Sequence, residues 1–481
     1  MADTRLGSRQ LAALLPDTAD ARPAYRHLAQ AISALILEGR IALHTKLPAE
    51  RELAPALKTS RATVTAAYDL LRESGYAHSR RGSGTFTALP ESRRPAGVSR
   101  LMAPADTAID LAVAAHGLPP DVLAEALAEA GPKLVEHAET PGYHPFGLPE
   151  LRAAVADRYT RRGLATLPEQ VLVTSGAQQA LSLTLGLLGG PGDRVMVESP
   201  SYTNALDAVR RARLRTAPVP VTDEGWDVEI MESTFRQSVP RLAYLIPDFQ
   251  NPTGRLMPEE QRARVLRAAH RSGSWLIVDE TITDIALDVP APAPLASLAG
   301  RGESDHVITL GSMSKSHWGG LRIGWLRAPS QLITELAGQR VAADMAGSVF
   351  DQLLALPLLA REHEVMPQRL RRLREQRAAL ADALARYLPQ WSWRQPPGGL
   401  SLWVDLGAPV ASALADRAIG YGVRIESGAR FGAHPGIFEN RLRIPYSLPA
   451  DTLDEAVRRM AAALAHRLLP GPGIERPRWV A

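Results

Sequence analysis

The chain of 481 residues contains no cysteine. This absence excludes disulfide scaffolds, metal sites built on thiolates, and catalysis by a cysteine nucleophile. The chain also lacks any run of about 18 uninterrupted apolar residues, and its first thirty residues have none of the features of a secretory signal. We therefore expect a soluble, cytoplasmic protein that makes no contact with a membrane, and we predict no metal site.

Lysine is nearly absent as well, although basic residues are common. Lysine and arginine together number 55, and only four of them are lysines, at positions 46, 58, 133 and 315. The formal net charge is +4, but the first hundred residues hold 15 basic against 9 acidic side chains. A basic N-terminal segment joined to a neutral remainder indicates a module that binds a polyanion, with nucleic acid as the obvious candidate.

The basic N-terminal segment has the element pattern of a winged helix-turn-helix. Apolar residues at helical spacing predict a helix over about Tyr25–Arg40, and L-P-A-E-R-E-L-A predicts a second, short helix after Pro48. Ser60 is a good N-cap for a third helix over Arg61–Ser74, and Tyr76–Thr87 is typical of a hairpin with a basic, glycine-bearing tip. In this arrangement the third helix enters the major groove of DNA.

Side chains near the start of the third helix and on the hairpin tip are candidates for contacting DNA. Arginine reads base edges, and basic or hydroxyl side chains bind phosphate oxygens. The candidates from the residues alone are Arg51, Arg61, Thr63, Thr65 and Arg81. The alternative is a small helical cap whose arginines are simply solvated.

The segments L-P-A-E-R-E-L-A, T-S-R-A-T-V-T-A-A-Y-D-L-L and R-R-G-S-G-T-F resemble the GntR family of bacterial repressors. The residues that this resemblance implies as DNA contacts are Arg51, Ser60, Arg61, Thr63, Thr65, Arg81 and Gly82. Many members of the family have arginine where this chain has Thr65, so the operator sequence does not carry over.

The composition changes after the hairpin. Residues 88–107 are rich in proline, arginine, serine and alanine without a sustained period, which is typical of a solvated linker. Beyond them, apolar runs such as V-L-V-T and W-L-I-V alternate with helix-like stretches, which predicts a mostly parallel sheet covered on both faces. A long helix over Leu353–Tyr387 and a smaller α+β subdomain follow. The predicted divisions are a winged helix over residues 20–88, a linker over 89–108, and an effector domain over 109–481.

One of the rare lysines, Lys315, lies in G-S-M-S-K-S directly after the apolar run V-I-T-L. A lysine at a strand end can form a Schiff base, and its small neighbours Ser312 and Ser314 can bind a phosphate. Asp279 ends the run W-L-I-V-D, where a carboxylate can pair with the pyridinium nitrogen of pyridoxal phosphate (PLP). Taken singly, each residue has a simpler interpretation, Lys315 as a surface residue and Asp279 as a helix cap.

Three further motifs suit the same cofactor. T-S-G-A-Q-Q-A opens a helix, so the amides of residues 176–178 point towards an anion. Asn251, in D-F-Q-N-P-T-G, supplies an amide for a phenolic oxygen. Arg322, in G-G-L-R-I-G-W, follows Lys315 closely enough to clamp the same phosphate. Alone, each motif is no more than a turn signal.

In this order the motifs resemble the fold-type I aminotransferases, from about residue 110 to the C-terminus. The resemblance implies an α/β domain with PLP bound to Lys315 as a Schiff base, Asp279 on the pyridinium nitrogen and Asn251 on the ring oxygen O3′. The implied phosphate ligands are Gly176, Ala177, Gln178, Ser312, Ser314 and Arg322, with Tyr143 reaching the phosphate of a neighbouring subunit. Tyr202 is implied to stack on the ring, and Arg443 to bind the carboxylate of a substrate or effector.

One position departs from the aminotransferase pattern. Two residues after the aspartate, these enzymes place a tyrosine that hydrogen-bonds the cofactor, and this chain has Thr281. Its shorter hydroxyl puts turnover in doubt, whereas attachment of the cofactor requires only the lysine.

A GntR-like winged helix, a linker and an aminotransferase-like domain together resemble the MocR subfamily of bacterial regulators. The resemblance implies a homodimeric, PLP-binding transcriptional regulator of a double-stranded DNA operator. A small amine or amino-acid effector, binding or reacting at the Lys315 Schiff base, would alter operator binding. Two alternatives stay open: an active PLP-dependent aminotransferase carrying an autoregulatory DNA-binding module, and a structural repressor with a vestigial pocket.

Overall fold

The structure is a computed structural model that describes residues 5–15, 23–80, 83–88, 109–300, 302–434 and 436–465. The predicted DNA contacts Arg81 and Gly82, and the predicted linker over 89–108, lie outside the described residues. Within the described part of the chain, no helix is both long and apolar enough to cross a membrane.

Helices and one hairpin form the N-terminal part of the chain. The elements are α1 (Ser8–Leu14), α2 (Ala24–Leu37), α3 (Glu50–Ala56), α4 (Arg61–Glu73), β1 (Ala77–Arg80) and β2 (Gly84–Thr87). Their apolar sides share one core, which includes Ile32, Val64 and Tyr68. Ser60 caps α4, because its side chain accepts a hydrogen bond from the amide of Thr63 at 3.0 Å. The predicted winged helix-turn-helix is confirmed, and the short helix α1 is an addition that its sequence did not predict.

The larger C-terminal part begins with strand β3 (Ile109–Asp110) and contains an eight-stranded sheet. The strands of the sheet are β4 (Val171–Thr174), β5 (Arg194–Ser199), β6 (Arg215–Thr222), β7 (Gly225–Trp226), β8 (Leu242–Leu245), β9 (Trp275–Asp279), β10 (Val307–Ser312) and β11 (Gly324–Arg327). They lie in the order β4-β11-β10-β9-β8-β5-β6-β7. From β10 to β6 every neighbouring pair is parallel, while β11 is antiparallel to both of its neighbours. The sheet is mostly parallel, as predicted.

Helices cover this sheet on both faces. They are α5 (Pro120–His137), α6 (Pro149–Arg161), α7 (Ala177–Leu188), α8 (Thr203–Arg211), α9 (Val228–Ser238), α10 (Glu259–Ser272), α11 (Ser330–Ala343) and α12 (Val349–Ala360). Successive strand residues point to opposite faces. On β8, Leu242 and Tyr244 belong to one core, and Ala243 and Leu245 belong to the other. Because both faces are buried, the strands are continuous apolar runs rather than alternating ones.

A smaller α+β subdomain completes the chain. Its elements are α13 (Glu362–Tyr387), β12 (Ser392–Trp393), β13 (Ser401–Asp405), α14 (Ala411–Ala418), β14 (Val423–Arg424), β15 (Glu426–Ser427), β16 (Arg441–Pro445) and α15 (Ala450–Ala465). Strands β12-β13-β16-β15 form an antiparallel sheet, and β14 pairs in parallel with β3. The helices and this sheet enclose a core of their own.

The prediction of one long helix over Leu353–Tyr387 is wrong. The structure has two helices, α12 and α13, which are separated at Arg361. Leu354 on α12 belongs to a core of the large sheet, and Leu380 on α13 belongs to the core of the subdomain. Arg361 is anchored at the break by a bond to Glu125 of α5 at 2.5 Å. The helix is interrupted because its two halves pack in different cores.

Candidate functional site

A pocket of about 240 Å³ lies beside the ends of β9 and β10 and the N-terminus of α7. It brings together motifs that are far apart in the sequence. The predicted residues that line it are Gly176, Ala177, Gln178, Tyr202, Asn251, Asp279, Ser312, Ser314, Lys315, Arg322 and Arg443, and Thr281 is with them. Tyr143 lies outside the pocket and is 64% exposed.

Lys315 follows β10, in the helical turn Ser314–Trp318, and its amine is held inside the protein. Nζ donates a hydrogen bond to the carbonyl oxygen of Ala114 at 2.6 Å. Burial, together with the nearby cation Arg443, lowers the pKa of the Lys315 amine to about 8. A lowered pKa leaves more of the amine neutral and nucleophilic at neutral pH. The amine is therefore suited to attack a carbonyl carbon.

Asp279 ends β9, and neighbouring groups fix its carboxylate. Oδ2 accepts a hydrogen bond from the hydroxyl of Tyr244 at 2.6 Å, and Oδ1 accepts one from the amide of Thr281 at 2.9 Å. The sequence analysis missed Tyr244, whose only signal is a tyrosine inside the apolar run A-Y-L-I of the adjacent strand β8. A carboxylate oriented in this way is suited to accept a hydrogen bond from a protonated ring nitrogen.

The end of the pocket beside α7 is suited to an anion. Gly176 precedes α7, and the first amides of a helix have no acceptor within the helix. Arg322 reaches the same point, where its Nη2 donates to the carbonyl oxygen of Ser175 at 2.7 Å. A β-carbon on Gly176 would lie 2.9 Å from that Nη2, and one on Gly324 would lie 2.6 Å from the amide nitrogen of Ala177. The absence of side chains at both positions lets α7, β11 and Arg322 approach one another.

Two serines and a glutamine complete this end of the pocket. Oγ of Ser312 accepts a hydrogen bond from the amide of Ser314 at 3.1 Å. Nε2 of Gln178 donates to the carbonyl oxygen of Asn204 at 3.2 Å, while its Oε1 is buried and has no partner in the described part of the chain. Hydroxyl, amide and guanidinium groups therefore surround one small space.

Hydrogen bonds join the two loops that carry Tyr202 and Asn251. The hydroxyl of Tyr202 accepts from Nδ2 of Asn204 at 2.9 Å. Gln250, next to Asn251, donates from Nε2 to the carboxylate of Glu198 at 3.0 Å, and burial raises the pKa of Glu198 to about 7. The sequence analysis missed Gln250 and Glu198, although Gln250 lies within the motif D-F-Q-N-P-T-G and Glu198 precedes Tyr202 by four residues.

Arg443 lies on β16 between β13 and β15, across the pocket from the sheet. One guanidinium nitrogen donates to the carbonyl oxygen of Ala112, and the guanidinium carbon lies 5.1 Å from the ring centroid of Phe431. Nε is buried, and none of the residues that the structure describes pairs with it. Burial lowers the pKa of Arg443 to about 10, which leaves it a cation at neutral pH. A buried cation with an unused donor is suited to bind a carboxylate.

These residues fit pyridoxal phosphate. Oε1 of Gln178, Oγ1 of Thr281 and Nε of Arg443 are buried polar atoms with no hydrogen-bond partner among the described residues, and all three belong to residues that line the pocket. Such atoms are normally paired, so they favour a polar ligand. The Lys315 amine, the Asp279 carboxylate and the anion-binding end match the aldehyde, ring nitrogen and phosphate of the cofactor.

The candidate DNA interface lies on α3 and α4. The predicted contacts that are exposed are Arg51, Ser60 and Arg61. Thr63 is partly buried and its hydroxyl lies 2.8 Å from Oγ of Ser60. Thr65 is tied into the domain, because its hydroxyl donates to Oε2 of Glu50 at 2.9 Å. The arginines and Ser60 therefore have open access to solvent, while the Thr65 hydroxyl already has a partner.

Comparison with known proteins identifies both parts of the chain. The family model "Bacterial regulatory proteins, gntR family" matches residues 24–87. The family model "Aminotransferase class I and II" matches residues 110–460. The first match falls on the winged helix-turn-helix, and the second contains the whole pocket.

Relatives of this chain include named regulators and an aminotransferase of known structure. The HTH-type transcriptional regulator YisV of Bacillus subtilis is 32% identical over 79% of this chain and 84% of its own length. The probable rhizopine catabolism regulatory protein MocR of Rhizobium meliloti is 33% identical over 64% of this chain and 66% of its own length. The structure of LysN, the α-aminoadipate aminotransferase of Thermus thermophilus, complexed with N-(5′-phosphopyridoxyl)-L-leucine, is 32% identical, with a TM-score of 0.69 over 76% of this chain and 95% of that one. The chain belongs to the MocR subfamily of GntR-type transcription regulators, which join a winged helix-turn-helix to a PLP-binding aminotransferase class I and II domain.

Proposed function

We propose that this regulator senses a small amine or amino acid in its PLP pocket and that occupancy of the pocket alters operator binding. The proposal rests on two buried basic groups that line one pocket, the Lys315 amine with its lowered pKa and the Arg443 guanidinium. The same chain presents exposed arginines on a winged helix-turn-helix. Because the winged helix-turn-helix binds DNA, we infer that the protein is located in the cytoplasm.

Each residue of the pocket has a proposed task. PLP, when bound, supplies an electrophilic carbonyl group and an electron-withdrawing ring. Lys315 holds the cofactor through its amine, Asp279 accepts the hydrogen bond of the ring nitrogen, and Asn251 binds the ring oxygen. Tyr202 stacks on the ring. The residues proposed to hold the phosphate are Gly176, Ala177, Gln178, Ser312, Ser314 and Arg322. Arg443 orients an effector through its carboxylate.

Coupling to DNA requires two arrangements of the protein. An effector shifts the balance between them only by as much as its affinity for the two differs. We infer a homodimer whose two winged helices, over residues 20–88, read two half-sites, with the linker over 89–108 limiting their separation. The exposed ring of Tyr143 suits a contact with the phosphate of the neighbouring subunit.

The proposal is tested with two matched ligands. Phosphopyridoxyl-glycine carries a carboxylate, and phosphopyridoxyl-methylamine differs only by lacking it. We expect the glycine adduct to change the Kd of the full chain for a duplex selected from a random library by about 5- to 150-fold, the usual range of allosteric coupling. The methylamine adduct is expected to have a smaller effect, because it offers Arg443 no partner.

Two results would contradict the proposal. If both adducts bind and the Kd for DNA does not change, the pocket does not regulate DNA binding. If neither adduct binds, the pocket is vestigial.

A second candidate function is transamination with autoregulation by the winged helix. The similarity to an α-aminoadipate aminotransferase over most of the large domain favours it. The identity of Thr281 speaks against it, because the aminotransferases that the chain resembles have a tyrosine at this place that binds the cofactor, and the threonine hydroxyl is shorter.

Thr281→Tyr is therefore expected to increase turnover of an amino acid with a keto acid by about 10- to 100-fold. A hydrogen bond to a charged group contributes roughly 1.5–3 kcal/mol, which corresponds to that range of rates. The measurement is steady-state keto-acid formation, and Thr281→Phe is the control because it adds the ring without the hydroxyl. Turnover by the unaltered chain at ordinary enzymatic rates, about 1–1000 per second, would instead support the second candidate.

A further inference from the structure

Four buried side chains form a small group of their own beside the pocket. This aromatic cluster consists of Trp403, Phe431, Ile437 and Phe438. The ring centroid of Trp403 lies 5.7 Å from that of Phe431 and 5.9 Å from that of Phe438, both in edge-to-face contact. The cluster is separate from the cores of the large sheet and of the subdomain.

On one side the aromatic cluster supports the pocket. The guanidinium carbon of Arg443 lies 5.1 Å from the ring centroid of Phe431. The carbonyl oxygen of Phe431 accepts a hydrogen bond from the amide of Ser201 at 2.8 Å, directly before Tyr202. Phe431 therefore contacts both the proposed carboxylate-binding arginine and the segment that carries the ring-stacking tyrosine.

On its other side the cluster contacts the winged helix. The amide of Phe438 donates a hydrogen bond to the carbonyl oxygen of Leu37, the last residue of α2. A β-carbon on Gly39, which has a φ of 71°, would lie 3.2 Å from Cδ1 of Ile437 and 3.4 Å from Cζ of Phe438. The end of α2 is therefore packed closely against the cluster.

Two charged side chains, Glu38 directly after α2 and Arg441, line one cavity beside this packing. Burial raises the pKa of Glu38, and the nearby cation Arg441 opposes the rise. Arg441 is held by Asp223, with Nη2 to Oδ2 at 3.0 Å. It lies two residues before Arg443 on β16, so one short strand carries both the arginine of the pocket and the arginine beside α2.

This docking does not cover the surface proposed to read DNA. Arg51, Ser60 and Arg61 remain exposed while α2 is packed against the cluster. The contact therefore fixes the position of the winged helix and leaves its proposed DNA-binding surface exposed.

We propose that the aromatic cluster couples a carboxylate bound at Arg443 to the position of the winged helix. This inference rests on the proposed function and names its regulatory contact. A carboxylate pairs with the unused Nε of Arg443 and holds the guanidinium against Phe431. Protein interiors are close-packed, so an ordered Phe431 also orders Phe438 and tightens its contact with Leu37.

The test measures hydrogen exchange in the full chain, with no DNA present. Phosphopyridoxyl-glycine is compared with phosphopyridoxyl-methylamine. We expect the glycine adduct to slow exchange at residues 34–41 and at the amide of Phe438 at least about fivefold more than the methylamine adduct does. In Phe438→Ala the adduct still binds, because Phe438 does not line the pocket, but residues 34–41 no longer respond.

A milder variant and a control keep the test decisive. Phe431→Leu retains an apolar side chain but removes the ring beneath Arg443, and it is also expected to lose the response at residues 34–41. Phe235→Leu alters an equally buried phenylalanine in a core of the large sheet, and it is expected to keep the response. The proposal is overturned if residues 34–41 respond equally in all three variants, or if they do not respond in the unaltered chain with the glycine adduct bound.

The outcome is separable from that of the proposed function. Slowed exchange at α2 with an unchanged Kd for DNA would contradict the proposed function alone. A changed Kd without slowed exchange at α2 would contradict the coupling through the cluster alone.

Discussion

Lys315→Ala is expected to abolish covalent attachment of pyridoxal phosphate. The other three lysines lie outside the pocket lining, so no second amine there replaces Nζ. With its pKa lowered to about 8, Lys315 has roughly 300 times more neutral amine at neutral pH than a lysine with the ordinary value of 10.5. The cofactor retains only the contacts of its ring and phosphate in the variant, and binds more weakly and reversibly.

Borohydride reduction followed by peptide mass spectrometry measures this loss directly. In the unaltered chain the pyridoxyl group is expected on Lys315, and in the variant on no peptide. Lys133→Ala is the matched control, because it removes an exposed lysine from α5 and leaves the pocket intact. Equal labelling of Lys315→Ala at any other lysine would contradict the assignment.

The second large effect is expected on DNA. Arg51→Ala combined with Arg61→Ala is expected to weaken binding to the selected duplex at least about 30-fold, since an arginine that reads a base edge contributes about 1–3 kcal/mol. Any part of the loss that comes from phosphate contacts also lowers the slope of log Kd against log salt by about 1 for each contact. Fluorescence anisotropy at several salt concentrations gives both quantities.

A control with the same change of net charge separates specific contacts from general electrostatics. Arg211 and Arg271 are exposed at the ends of α8 and α10, far from the winged helix in the chain. Arg211→Ala combined with Arg271→Ala is expected to leave the Kd within about twofold, because neither side chain belongs to the winged helix-turn-helix. Equal losses in the two pairs would show that α3 and α4 do not form the reading surface.

Local sequence was sufficient to predict the helices α2, α3 and α4, the hairpin that follows them and the apolar strands β4, β9 and β10, because their residues have clear helical or strand patterns. It was insufficient at Arg361. The apolar pattern continues through that position, and only the packing of Leu354 and Leu380 in different cores shows why the helix must end. Helix α1 was missed because seven residues are too few to establish a period.

The same distinction applies to the pocket. Lys315, Asp279 and Asn251 lie in motifs whose residue types point to one cofactor, so the sequence predicted them, and the structure places all three in one pocket. The groups that orient them were not identified. Tyr244 contacts Asp279 because β8 lies beside β9, and this pairing is known only from the fold. The acceptor for Lys315 is the main-chain oxygen of Ala114, and every residue type has such an oxygen, so the sequence does not reveal it.

The parallel register of β9 and β10 limits how this protein can evolve. Leu310 pairs with Asp279, and Lys315 follows in the helical turn directly after β10. Inserting one residue within β10 would turn its apolar side chains towards the opposite core and displace Lys315 by about 3.3 Å relative to Asp279. Related regulators are therefore expected to acquire new ligands by substitutions around the pocket, and to vary in length only in the loops between strands and helices.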